Sequence, residues 1–162
     1  MKIRLQILSL FSLFLFVVAC EKTTDQTSSE STTEEVQTTI LPSPPLVTLE
    51  YLWENCDYVD YVFYELPFSM SLQEPAAIKN AISHFASDPA PMKPGCKPIG
   101  RLFFQVKGEN IIETDMYFSE GCTYFIFIED QKPKYSAYMT PEAVQFMNNN
   151  LAQVNQMRQN NQ

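Results

Sequence analysis

Four cysteines, one histidine and several spaced carboxylates are the side chains of this 162-residue chain whose types could do chemistry. A thiol beside an imidazole makes a nucleophile with its base. His84 is the only histidine, however, and it stands between Ile82 and Phe85 on a segment of helical spacing. On the exposed or half-exposed side of a helix, a lone histidine reads as packing or surface rather than as a base. A metallohydrolase built on histidines is excluded by count. No Gly-rich phosphate loop, Cys-x-x-Cys zinc pair or serine elbow appears, so no cofactor, metal or catalytic residue is expected.

Carboxylates remain. Glu54, Asp57 and Asp60 form one cluster, and Glu113 and Asp115 share one face of a strand by the period-2 rule. Paired acids can bind Ca²⁺ or cleave glycosides. Neither cluster has the dense spacing of a calcium loop, and alternating acids on a strand form a solvated face. A carboxylate-dependent hydrolase is therefore kept only as an alternative. Phe103 and Tyr117 fall outward beside Arg101, Gln105, Glu113 and Asp115. Left uncovered, that face would be a mixed aromatic and charged surface suited to protein or glycan contact; the simpler expectation is that helices cover it or that its aromatics pair across strands.

The N-terminus sets the context. Lys2 and Arg4 supply positive charge, and Leu5–Val18 is apolar apart from Gln6, Ser9 and Ser12. Val17-Val18-Ala19-Cys20 then resembles the lipobox of bacterial lipoprotein precursors. The resemblance covers residues 1–20 only. It implies cleavage before Cys20 and attachment of diacylglycerol to its thiol, so that the membrane is a partner through the lipid. A membrane-spanning helix would need about 20 apolar residues, and this run is shorter and ends at a small-residue site. Glu21, where an Asp is read as inner-membrane retention in enterobacteria, points to the outer membrane.

The resemblance implies an oxidising compartment, where a disulfide is the default. Cys56, Cys96 and Cys122 allow three single pairings. Cys96–Cys122 is favoured, because each follows a glycine and precedes a strand, and a meander brings those strand starts to one end of the sheet. Cys56–Cys122 is the rival pairing, and a buried free thiol is expected of the cysteine left over.

The formal net charge is −8, and losing Lys2 and Arg4 with the signal leaves 9 basic against 19 acidic residues. That argues against nucleic acid, whose phosphates need a basic surface. Residues 20–45, the lipidated cysteine and a Thr/Ser/Glu-rich stretch ending in prolines, read as a disordered tether. Residues 46–162 read as one domain, well supplied with aromatics, with a fraying polar tail at Asn155–Gln162. Tyr58–Tyr64 reads as a buried strand that Leu66-Pro67 interrupts; Phe68, Met70 and Leu72 then alternate with Ser69 and Ser71, so that Pro67 marks a kink or an edge. Pro75 opens a helix running to the stop at Ser87-Asp88-Pro89. Residues 88–99 read as a long surface loop. Residues 101–107, 112–118 and 122–128 alternate as strands, the last apolar on both faces and hence central. Lys134–Met139 is a possible edge strand, and Thr140-Pro141-Glu142 starts a final helix. The expected fold is α+β, an antiparallel β-meander of four to five strands packed with two helices.

The leading functional expectation is a non-enzymatic binding or interaction module anchored by lipid to the cell envelope, contacting an envelope protein or glycan. A periplasmic enzyme inhibitor or immunity-type lipoprotein, inserting the 88–99 loop into a cleft, is the second expectation.

Overall fold

The computed structural model describes residues 38–160, and the signal segment and Cys20 lie outside them. Eleven elements follow in order. They are β1 (Thr39–Ile40), α1 (Leu46–Asn55), β2 (Tyr58–Phe63), β3 (Ser69–Leu72), α2 (Pro75–Ile82), β4 (Pro91–Met92), β5 (Gly100–Val106), β6 (Glu109–Ser119), β7 (Cys122–Glu129), β8 (Lys132–Tyr138) and α3 (Pro141–Asn160). The fold is α+β, as the residue pattern indicates. Six strands form one antiparallel sheet in the order β3-β2-β5-β6-β7-β8, and β1 pairs with β4 in a second, two-stranded sheet.

Four features depart from the sequence reading. The main sheet has six strands rather than four or five, because β2 ends at Phe63, residues 64–67 turn the chain, and the Phe68–Leu72 stretch runs back along β2 as the edge strand β3. Val59 then faces Leu72 and Val62 faces Ser69. There are three helices rather than two. The additional one, α1, starts at Pro45 without a side-chain cap and buries Leu52 completely. Its formation is a tertiary effect, since packing of one apolar stripe outweighs the missing start signal. Finally, part of the expected tether and part of the expected loop are ordered against each other, Thr39 opposite Met92 and Ile40 opposite Pro91. The C-terminal residues 155–160, expected to fray, continue α3.

The inward faces of the strands and all three helices share one core. Val59, Tyr61 and Phe63 of β2 meet Leu102 and Phe104 of β5, Met116 of β6, and Phe125 and Phe127 of β7. Leu52 of α1, Ile78 and Ile82 of α2, and Ala143 and Met147 of α3 close over them. Gly100 is required where β5 approaches β2, because a Cβ there would stand 2.5 Å from the Val62 carbonyl oxygen. The Thr140 hydroxyl accepts from the Ala143 N–H at 3.3 Å, a cap on α3 of about 1 kcal/mol.

Two core hydroxyls, those of Tyr61 and Thr114, are buried without a hydrogen-bond partner among the described residues. Burial alone pushes the Tyr61 phenol well above its ordinary pKa. An unpaired buried hydroxyl forfeits its hydration for nothing. Tyr61→Phe is therefore expected to leave the urea midpoint unchanged or raise it.

Among the described residues, the opposite face of the sheet is covered only at the β7–β8 end. Tyr124 and Ile126, with Cys122 and Ala90, form a second cluster under Leu41, Met92 and Cys96. β7 is thus apolar and covered on both faces, as expected, although it stands fifth of six and not at the centre of the sheet. Residues 39–43 act as a strap here. The Ser136 N–H donates to the Pro42 carbonyl at 2.9 Å, the Ser136 hydroxyl donates to the Leu41 carbonyl at 3.0 Å, and the Ser43 hydroxyl donates to the Ser87 carbonyl at 2.8 Å. On the outer edge of β8 the strap thus takes the Ser136 N–H, while the Tyr138 N–H donates to the Asp88 carbonyl at 3.2 Å and the Tyr138 carbonyl accepts from the Ala86 N–H at 2.9 Å, pairing groups that an open edge would leave free.

Candidate functional site

Among the described residues, the part of that second face formed by β2, β3, β5 and β6 carries no helix. Register places its residues in rows. Asp60 stands opposite Phe103, which stands opposite Glu113; Val62 stands opposite Arg101, which stands opposite Asp115. Strand alternation puts Tyr58, Asp60, Val62 and Tyr64 on the same face as Arg101, Phe103 and Gln105. Their side chains are half-buried, apart from Tyr64, which is exposed.

Arg101 organises the centre. Its Nε donates to Asp115 Oδ1 at 2.7 Å and its Nη1 to Glu113 Oε2 at 3.0 Å. The Tyr64 hydroxyl donates to the same Asp115 oxygen at 3.1 Å. The Asp115 hydrogen bond, opposed by partial burial, raises the guanidinium pKa still further above its ordinary value, so its charge is permanent. Burial and the Asp115 carboxylate hold the Tyr64 phenol protonated. Tyr117 stacks on Tyr124 with ring centroids 4.6 Å apart and planes 18° apart, the cross-strand aromatic pairing weighed as one outcome for this face. A guanidinium carries five N–H donors, of which one on Nε and one on Nη1 are engaged among the described residues.

This geometry bears directly on the carboxylates. Glu113 and Asp115 share the predicted face but do not converge on an open cleft, because Arg101 takes one oxygen of each. The Glu54, Asp57 and Asp60 cluster is dispersed. Glu54 is exposed on α1, Asp57 Oδ2 accepts from the Lys107 N–H at 2.9 Å, and Asp60 Oδ1 accepts from the Ser71 hydroxyl at 2.8 Å. Among the described residues no group of three His, Cys, Asp or Glu side chains is arranged to hold a metal.

The thiols resolve as Cys96–Cys122 paired and Cys56 free. Cys56 lines an open cleft of about 640 Å³ between the end of α1 and the start of α2, with Trp53, Glu54, Asp57 and Lys79. Burial pushes its thiol pKa up and its Sγ donates to the Tyr58 carbonyl at 3.3 Å. It is held as a thiol, not as the thiolate that nucleophilic chemistry needs.

His84 corrects the sequence reading. It is 3% exposed rather than on an outer helix side, because α2 ends at Ile82 and the turn that follows carries residue 84 inward against Phe146. The Asn80 side-chain amide nitrogen lies 3.3 Å from Nε2. Burial lowers the His84 pKa below 6.5, with Glu142 opposing. The unfolded chain then binds the proton more tightly than the folded one. This contribution is complete above pH 6.5 and is lost as pH falls from there toward the depressed folded value. His84→Gln is expected to flatten that loss, seen as a smaller difference between urea midpoints at pH 7.5 and pH 5.

The 88–99 segment also departs from expectation. Ala90 is buried, its N–H donates to the Ser136 hydroxyl at 3.1 Å, and Lys93 Nζ donates to the Gly121 carbonyl at 2.8 Å. The segment is pinned onto the sheet at these points, with Lys93–Gly95 and Lys97 exposed.

No family model, curated protein or solved structure matches the chain. The functional reading therefore stands on its residues.

Proposed function

We propose that the chain is a lipid-anchored binding module of the bacterial cell envelope, held at the outer membrane through Cys20, whose contact surface is the uncovered sheet face around Arg101. The observation that carries this reading is the fixed Tyr64–Asp115–Arg101–Glu113 network, set among the half-buried Tyr58, Phe103 and Tyr117. Preset donors and acceptors between aromatic surfaces fit contact with a polar partner, an envelope protein or glycan, at low ordering cost. The lipobox-like Val17–Cys20 sequence supports the anchor. The inhibitor reading is not favoured, because the segment that would enter a cleft is pinned to the sheet.

The test is capture from solubilised envelope by the wild-type chain and by Phe103→Ala and Arg101→Ala variants. One reproducible partner, lost about tenfold or more with either substitution, is the expected outcome; a partner retained by both would remove the face from the reading. Cys20→Ala should release the chain from washed membranes while leaving it folded, and a Cys20→Ala protein retained there would refute the anchor.

A further inference from the structure

The main sheet treats its two edges differently. The outer edge of β8 is paired by the strap and by residues 86–88. At the other end, β3 (Ser69–Leu72) pairs with β2 on one side, and among the described residues its outer backbone groups have no backbone partner. Such a row of free N–H and C=O groups is a template for another extended chain. Charge, a common protection of an edge, is missing from the strand itself, since residues 66–73 read Leu-Pro-Phe-Ser-Met-Ser-Leu-Gln. It stands instead at both ends, in the exposed Glu65 and Glu74. Glu74 makes no side-chain cap on α2, so its carboxylate is not committed there. The strand is four residues long and Pro67 stands just before it, which confines any pairing to one short segment.

We propose that the free edge of β3 takes up an extended polypeptide segment in which basic and apolar residues alternate, adding it to the sheet as a further strand. The inference goes beyond the Arg101 face and needs neither that reading nor the lipid anchor. Main-chain hydrogen bonds supply the attachment, and the pleat supplies the selection. Side chains of the added strand that stand opposite Ser69 and Ser71 lie on the same face as Val62 and Asp60. Ser71 is small and donates its hydroxyl to Asp60 Oδ1 at 2.8 Å. A long basic side chain can therefore lie across it toward the Asp60 carboxylate, while basic residues at the strand ends meet Glu65 and Glu74. The alternate side chains fall beside Met70 and Leu72, which are half-buried against the core with Phe68, and extend that apolar layer. Charge selects this occupant over two others. A second copy carries a net −8 and brings the same two glutamates to the edge. Residues 21–37 of the chain itself hold one basic and five acidic residues. Both are repelled where a basic strand is attracted.

The probe is a fluorescein-labelled synthetic peptide, Lys-Val-Lys-Val-Lys-Val, titrated into the full-length protein and followed by anisotropy and by amide hydrogen exchange. The expected result is saturable binding that slows exchange at those amides of Ser69–Leu72 that point away from β2. Replacing its lysines by glutamate, grouping its lysines apart from its valines, or N-methylating every amide should each weaken binding by about tenfold or more. On the protein, Ser69→Lys combined with Ser71→Lys places like charge along the edge at exposed positions and should weaken binding as much. Glu65→Gln combined with Glu74→Gln leaves the strand untouched and should weaken it several-fold. Absence of binding overturns the proposal, as does binding that leaves the outer amides of β3 exchanging as in the free protein. Equal affinity for the N-methylated peptide overturns it too, because attraction would then be by charge alone. Outer-edge protection that grows with protein concentration in the absence of peptide assigns the edge to a second copy, and protection at every dilution closes it within the chain; either overturns the proposal. Binding lost with Arg101→Ala and kept with the two lysine substitutions would move the peptide to the Arg101 face, overturning the edge as its site and leaving the contact-face reading standing.

Discussion

Phe85→Ala is expected to lower the stability of the domain by about 3–5 kcal/mol, a large part of the roughly 5–15 kcal/mol that holds a domain of this size folded. The reason is its position. The ring lies 4.8 Å from that of Phe127, 4.9 Å from Phe125 in an edge-on arrangement, and 5.5 Å from Phe104. It therefore joins β5 to β7 across the middle of the sheet. Phe85 is also bridged to Met139 through the backbone, just before α3 begins, so the side chain fills the point where the end of α2, the sheet and α3 meet. Removing it leaves a cavity between rings that are themselves fixed by strands and cannot collapse inward. Breaking each aromatic pair adds about 0.5–1.5 kcal/mol beyond the area term. Urea denaturation measures the effect. Phe85→Leu, which keeps most of the volume, should cost markedly less, and a loss below about 1.5 kcal/mol for the alanine variant would mean that the three rings repack.

Phe85 also marks the limit of what periodicity reveals. Its apolar character was legible, and so was its neighbourhood with Ile78 and Ile82. Placing it on a helix extended to Ser87-Asp88-Pro89 was wrong, because stop residues bound a helix without saying where its last turn unwinds. The same error put His84 outward. By contrast, Leu102, Phe104 and Val106, and then Ile112, Thr114 and Met116, were assigned to the correct face, since strict alternation leaves a strand only one choice of inward side. The outward set was equally legible, Arg101, Phe103, Glu113 and Asp115 among it. What could not be read was the strand order. Arg101 reaches Asp115 and Tyr64 together only because β5 lies between β6 and β2, and that placement depends on the path of α2. α1 and the strap were invisible for a different reason. Leu46–Asn55 has no cap and follows a proline cluster, and Thr39–Ile40 is only two residues long. Both are ordered by what they pack against, not by their own sequence.

Loss of the Cys96–Cys122 bridge is expected to cost about 3.5 kcal/mol, the chain-entropy value for a closed loop of its size, the two cysteines standing 26 positions apart in the sequence. The consequence should be local before it is global. The bridge fixes the end of the 88–96 segment to the start of β7 with the two Cα atoms 5.9 Å apart. That segment supplies β4, β4 pairs with β1, and Ala90 shares the Ser136 hydroxyl with Leu41. The strap and the segment thus support each other, and the disulfide is the covalent cross-link between the pair and β7. In the Cys96→Ala and Cys122→Ala double variant, amides of residues 39–43 and 88–96 should exchange first, with those of α3 and the inner strands protected up to global unfolding. Mass spectrometry of the unreduced protein should yield one crosslinked peptide holding residues 96 and 122, and Cys56 should titrate as a free thiol under denaturing conditions. If protection instead falls uniformly, the strap is held by its own hydrogen bonds to Ser136 and Ser87, and the bridge acts on the unfolded chain alone.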